Sequence, residues 1–213
     1  MNSQLKFFKS LVFIAILISF FSCGNNMTRE KAKDLICKKY NLPFIETEKL
    51  QHGKVLYSMN FGGTNISAEK SLAEQKMISF TYRGVERRDA IMRGDRGYSY
   101  AAYVLELTPE GQKYKTGETS DNQGNKFYLV KAAEKVFIDV TGILEINDGK
   151  AAQVDYTWKY DNITPFGRAF SLRNQQLNQS DQFMNGRKVY NEGQIFSNKV
   201  MMVKYDDGWR IQE

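Results

Sequence analysis

Residues 136–160 constrain the fold more than any other part of this chain, because they alternate with a period of two on both sides of a turn. Val136, Ile138, Val140, Leu144 and Ile146 fall on one face of a strand. Val154, Tyr156, Trp158 and Tyr160 do the same in the next run, with Asp155, Thr157 and Lys159 facing away. Successive side chains of a strand point to opposite sides, so the pattern describes a sheet with one apolar and one polar face. Asn147, Asp148, Gly149 and Lys150 lie between the runs, and Asp-Gly supplies the positive φ that a type I′ turn requires. The residues predict an antiparallel hairpin packed on one side by helices.

Those helices are expected early. Thr28 is placed to N-cap a helix reaching about residue 40, with Glu30 in its first turn and Ala32, Leu35, Ile36 and Tyr40 on its apolar face. Asn41 and Pro43 end it. After a short apolar run at Val55, Leu56 and Tyr57 and a turn-rich stretch at 61–65, Ser67 caps a second predicted helix. That helix runs to about Phe80, with Leu72, Ala73, Met77 and Phe80 on one face. Residues 98–107 and 126–131 read as strands, the first ended by Thr108-Pro109. Thr164-Pro165 opens a short helix or turn near 166–172, and the amide-rich residues 174–182 read as a loop. A last strand at 199–205 turns at Asp207-Gly208 into Trp209 and Ile211. The expected class is α+β, with N-terminal helices packed on one face of an antiparallel, curved β-sheet. Residues 28–213 form the globular domain, with sub-regions 27–118 and 126–213 separable at the polar loop 119–125.

Two local resemblances accompany this reading. LTPEGQKY at 107–114 resembles the last strand and turn of winged-helix domains, a common local solution that brings no DNA-binding function with it. The strand, Asp-Gly, Trp ending resembles the last hairpin of cystatin-like and NTF2-like domains, and implies a curved sheet wrapped on a helix. Such a likeness concerns fold and carries no function.

The N-terminus carries an address. Lys6 and Lys9 precede residues 11–21, in which only Ser19 is polar, and Ser22, Cys23 and Gly24 follow as small residues at a cut. A charged start, a short apolar core and a small-residue site make an export signal. The apolar run falls short of the about 20 residues a membrane span needs. A cysteine at this cut resembles the lipobox of bacterial lipoproteins, in the loose form seen in Bacteroidota, although Phe20 stands where Leu is commonest and Phe21 where a small residue is usual. The resemblance implies a signal peptide at 1–22, acylation of Cys23 and a short tether at 23–27, with the membrane as partner through that anchor. The alternative is an ordinary secretory signal with Cys23 an early residue of a soluble exported protein. Residues 24–28 hold no acid, which favours a periplasm-facing protein over a surface-exposed one.

Composition narrows the rest. The chain has 30 basic and 24 acidic residues; the signal removes Lys6 and Lys9 and no acid, which leaves 28 against 24. So mild a charge admits an anionic lipid or glycan and does not argue for nucleic acid, and no nucleic-acid partner is expected of an exported chain. With Cys23 acylated, Cys37 has no disulfide partner; a buried inert thiol and a reactive one are the two readings. Residues 29–39 carry five basic residues against Glu30 and Asp34. Beside a membrane such a face attracts anionic lipid; otherwise it is a solvated helix surface.

Enzymatic signatures are sparse. The single histidine, His52, would have to serve any His-based triad or metal site, and no nucleophile elbow, zinc motif, P-loop or dinucleotide-binding glycine pattern occurs. No cofactor and no metal is expected. Carboxylate pairs remain the enzymatic alternative, a small envelope hydrolase acting in a sheet cleft; Glu86 with Asp89, or Asp139 with Asp155, are the pairs to consider, though both read as solvent-facing charges. The one candidate site is the arginine-rich stretch 83–96, read as a loop. Arg87, Arg88, Arg93 and Arg96 with Tyr98 and Tyr100 form an expected contact for an anionic ligand or an envelope partner, since guanidinium forks hold carboxylate or phosphate and the rings can stack on a sugar. The bland reading pairs these arginines with Glu86, Asp89 and Asp95 at the surface.

Overall fold

A computed structural model of the chain describes residues 26–59, 66–88, 97–180 and 187–212. The signal segment, Cys23, Asp89, Arg93 and Arg96 thus lie outside the described residues. In order, the elements are α1 (Arg29–Lys39), β1 (Phe44–Gln51), β2 (Gly53–Ser58), α2 (Ser67–Glu74), β3 (Ile78–Arg88), β4 (Tyr98–Leu107), α3 (Pro109–Gln112), β5 (Lys115–Ser120), β6 (Lys126–Ile146), β7 (Ala151–Asp161), α4 (Pro165–Ser180), β8 (Ile195–Tyr205) and β9 (Gly208–Ile211). The class is α+β. One sheet has the order β1-β6-β7-β8-β9 with β5 also on β6, and a second has the order β2-β4-β3. Among the described elements only α1 precedes the first strand, so the helices are interleaved with the strands and not gathered at the N-terminus.

The chain divides into two compact units, one of Met1–Asn41, Ile138–Thr157 and Ser197–Glu213, the other of Leu42–Phe137 and Trp158–Phe196. In the first unit the Thr28 hydroxyl accepts from the Lys31 N–H at 3.2 Å, which caps α1 as expected. Ala32 and Ile36 are buried, while Tyr40 is 38% exposed and stacks on Tyr156 with centroids 6.5 Å apart. Cys37 is only half-buried, and burial raises its thiol pKa. The hairpin turn has the predicted form: Lys150 N–H donates to the Asn147 carbonyl at 3.1 Å, across Asp148 and Gly149 at φ 54° and 76°. The face expected to be covered is covered only in part. Val140 is buried, but Leu144 is 60% exposed. The eleven residues of α1 extend about 17 Å, against roughly 36 Å for residues 136–146 of β6.

The second unit holds a core of Leu50, Val55, Leu72, Ile78, Leu105, Val130, Phe166 and Phe170, among others. Two expected boundaries move here. The helix from Ser67 stops at Glu74, because Lys76 adopts φ 57° and the amides of Lys76 and Met77 turn back to the carbonyls of Ala73 and Leu72. That is a Schellman stop, which frees Ile78 and Phe80 to begin β3. Conversely, α4 continues through the amide-rich residues to Ser180. Phe166, Ala169, Phe170 and Asn174 make its buried stripe, and the Asn174 amide donates to the Lys188 carbonyl at 2.8 Å.

One device recurs in this unit. Thr108-Pro109-Glu110-Gly111 opens α3 and Thr164-Pro165-Phe166-Gly167 opens α4. In each, the threonine hydroxyl accepts from the glycine N–H three residues on, at 3.1 and 3.2 Å. The same hydroxyls donate to the carbonyls of Lys76 and Lys131, at 2.6 Å in both cases. The threonine amides donate to the next carbonyls, those of Met77 and Ala132, at 3.1 and 2.9 Å. Each helix start is thereby fastened to a strand or strand entrance by its own cap, and proline at the first helical position gives up no needed donor.

Candidate functional site

The three-stranded sheet sorts the predicted arginines. Before its irregularity β3 pairs Ser79 with Glu106 and Thr81 with Val104; after it, Gly84 pairs with Ala102, Glu86 with Tyr100 and Arg88 with Tyr98. The shift between Tyr82 and Gly84 inserts one residue, and a one-residue slip exchanges the faces of every later side chain. Gly84 takes φ 121°, a conformation that side chains oppose. Arg88 therefore shares a face with Tyr98 and Tyr100, whereas Arg87, opposite Ser99, lies on the other. The stretch 83–88 is thus a strand and not the loop expected, and Arg87 is separated from the patch.

On the Arg88 face lies a groove of about 340 Å³, lined by Gln51, Lys54, Leu56, Arg88, Tyr100 and Asn125. Lys54 and Leu56 come from β2, opposite Val104 and Ala102. The Arg88 guanidinium stands over the Tyr100 ring, 5.4 Å from its centroid. Lys54 reaches Glu86 at 2.5 Å, diagonally across β4. The Gln51 amide donates to Asn125 Oδ1 at 3.4 Å. Asn125 is fixed in turn by Asp121, which accepts from its backbone N–H at 2.9 Å and from its side-chain N–H at 2.8 Å. Those contacts, the side-chain one foremost, hold the Asp121 carboxyl below its usual range. Among the described residues no carboxylate pairs with Arg88, and none lines the groove. Of the expected residues the groove unites Arg88 and Tyr100. Lys54, Gln51, Leu56 and Asn125 carry no sequence signal, because only the sheet pairing and the Asp121 turn bring them there.

The carboxylates have other partners. Asp139 lies 3.8 Å from Arg29, and Asp155 lies 3.6 Å from Lys199. Among the described residues two acids are buried: Glu46 pairs with Lys188, and Glu69 lies 3.4 Å from Arg173. Tyr190 donates to Glu48 at 2.8 Å, and burial first, then Glu48, raises the Tyr190 pKa steeply. His52, the one histidine that a His-based site would have to use, is half-buried and stacks on Tyr128 with centroids 3.8 Å apart. A second groove of about 380 Å³ is lined by Lys159, Asp161, Arg168 and Glu192 among others, with Lys159 and Asp161 paired at 3.4 Å. Among the described residues no group of three His, Cys, Asp or Glu is placed to hold a metal, and no helix is long and apolar enough to cross a membrane.

Comparison of the chain with protein-family models, with curated proteins and with solved structures finds no match.

Proposed function

We propose that this chain is an exported, lipid-anchored envelope protein whose folded part is a binding module for an anionic ligand. The observation that carries the binding half is the groove, where an arginine without a described acidic partner stands over a tyrosine ring beside Lys54 and two fixed amides. A guanidinium fork stacked on a ring keeps its edge donors available for a carboxylate or phosphate, and stacking removes part of the ordering cost of binding. The reading involves no chemistry on the ligand, in contrast to a carboxylate hydrolase.

The anchoring half rests on residues 1–26. Each buried methylene of an acyl chain contributes about 0.8 kcal/mol, so two or three long chains on Cys23 hold the protein to a membrane without help from the fold. Labelled palmitate should enter the wild-type protein in cells and not a Cys23→Ser variant, which should leave the membrane fraction. For the groove, binding of polyanions (phosphate polymers, acidic polysaccharides, anionic vesicles) should fall at least tenfold in Arg88→Ala. Identical binding by wild type and variant would remove the groove from the proposal.

A further inference from the structure

Resting on that reading, we infer that the groove takes a carboxylated sugar and not a phosphate or sulfate. Three features of the groove point the same way.

The first is charge. Lys54 is already balanced by Glu86 at 2.5 Å, so among the described residues the groove presents one uncompensated cation, Arg88. One guanidinium fork matches one carboxylate bidentately, whereas a phosphate dianion brings a second charge that the groove does not answer.

The second is the amides. Gln51 and Asn125 each carry a donor and an acceptor, and the Asp121 turn fixes Asn125 in place. A sugar hydroxyl both donates and accepts, so it can use both halves of such an amide. Sulfate and phosphodiester oxygens only accept, which would leave the Gln51 carbonyl facing more negative charge, while the Asn125 carbonyl already accepts from Gln51.

The third is shape. Leu56, beside the Tyr100 ring over which Arg88 stands, supplies an apolar wall for the C–H face of a pyranose ring, and about 340 Å³ sits at the small end of the about 300–1,000 Å³ range of small-ligand sites. That size suits one sugar residue of a chain better than a folded partner. The carboxylate then lies on Arg88, the ring against Leu56, and the hydroxyls toward Gln51 and Asn125.

Titration calorimetry on the full-length Cys23→Ser protein tests this with oligogalacturonate, oligoglucuronate, their methyl esters and inorganic phosphate. At least one free uronate should bind. Methyl esterification, which removes the charge and keeps the hydroxyls, should weaken binding at least tenfold. Arg88→Lys should fail to restore what Arg88→Ala loses, and Gln51→Leu should weaken the uronate. Arg87→Ala, altered on the opposite face, should bind as wild type does and so controls for folding. Phosphate binding more tightly than every uronate, in an Arg88-dependent way, would overturn the sugar inference and leave the anionic site standing. Absence of any response to Arg88→Ala would overturn both.

Discussion

Among the described glycines, Gly111 and Gly167 have the least freedom to change. A Cβ on Gly111 would lie 2.0 Å from the Met77 carbonyl oxygen, and one on Gly167 would lie 2.2 Å from that of Ala132. Both obstacles are backbone, so no rotamer change relieves them. Gly167→Ala is expected to cost about 3 kcal/mol or more, the upper part of the overpacking range, and Gly111→Ala a comparable amount. Urea denaturation at neutral pH measures both; midpoints equal to wild type would mean that the helix starts do not hold these strands. At this scale the sequence was partly legible. Thr-Pro at 108 and 164 marks a strand end and a helix start, but the meaning of the glycine three residues later depends on a carbonyl 34 or 35 residues back. The same distinction applies to Arg87 and Arg88, which are equivalent as letters and differ only in the face to which they belong.

Among the elements, β3 decides the site. Its insertion between Tyr82 and Gly84 puts Arg88 on the face of the groove, and Gly84 at φ 121° meets no atom within 4 Å that would clash with a side chain. The obstacle there is backbone conformation alone, for which a non-glycine residue costs about 1–3 kcal/mol. Gly84→Val should therefore lower stability by an amount in that range and also weaken the binding that depends on Arg88, although residue 84 does not line the groove. Melting together with the uronate titration reads both effects. A variant that melts lower but binds unchanged would show the bulge to be dispensable for aiming Arg88. The hairpin from β6 to β7 was the most legible element, because alternation and an Asp-Gly turn agree in a short span. β1 was not legible: its buried positions are Glu46 and Leu50, so its alternation mixes a paired acid with an apolar side chain. The far end of α4 was hidden for the opposite reason. Its amides resemble loop composition, and only the stripe from Phe166 to Asn174 marks a helix.

For the molecule as a whole, the tyrosines of the second unit set an alkaline limit. Burial first, then Glu106, pushes Tyr128 up to about 12, and burial first, then Glu46 and Glu48, pushes Tyr160 up to about 12. Burial first, then Glu69, drives Tyr57 up steeply, as burial and Glu48 do Tyr190. A group whose folded pKa lies above its unfolded value of about 10 holds its proton more tightly in the native state. Its stabilising share is complete below about pH 10 and disappears as pH rises through the folded value. Urea midpoints should accordingly drop above about pH 10, with tyrosinate absorbance from these rings appearing together with unfolding. Full tyrosinate development near pH 10 in a chain that keeps its far-ultraviolet signal would contradict this. The proposed export and anchoring stand apart from this pH dependence, since they rest on residues 1–26.

The extra residue in β3 also bears on how kin of this chain would look. Substitutions along the strand other than at Gly84 leave the aim of residue 88 intact, but a single insertion or deletion between Ile78 and Arg88 exchanges what meets the furrow for what meets the opposite side. Spacing is thus under tighter constraint than lettering. A descendant that keeps the count of residues, a glycine at the bend and two Thr-Pro-x-Gly clasps can drift almost everywhere else and still present the same guanidinium.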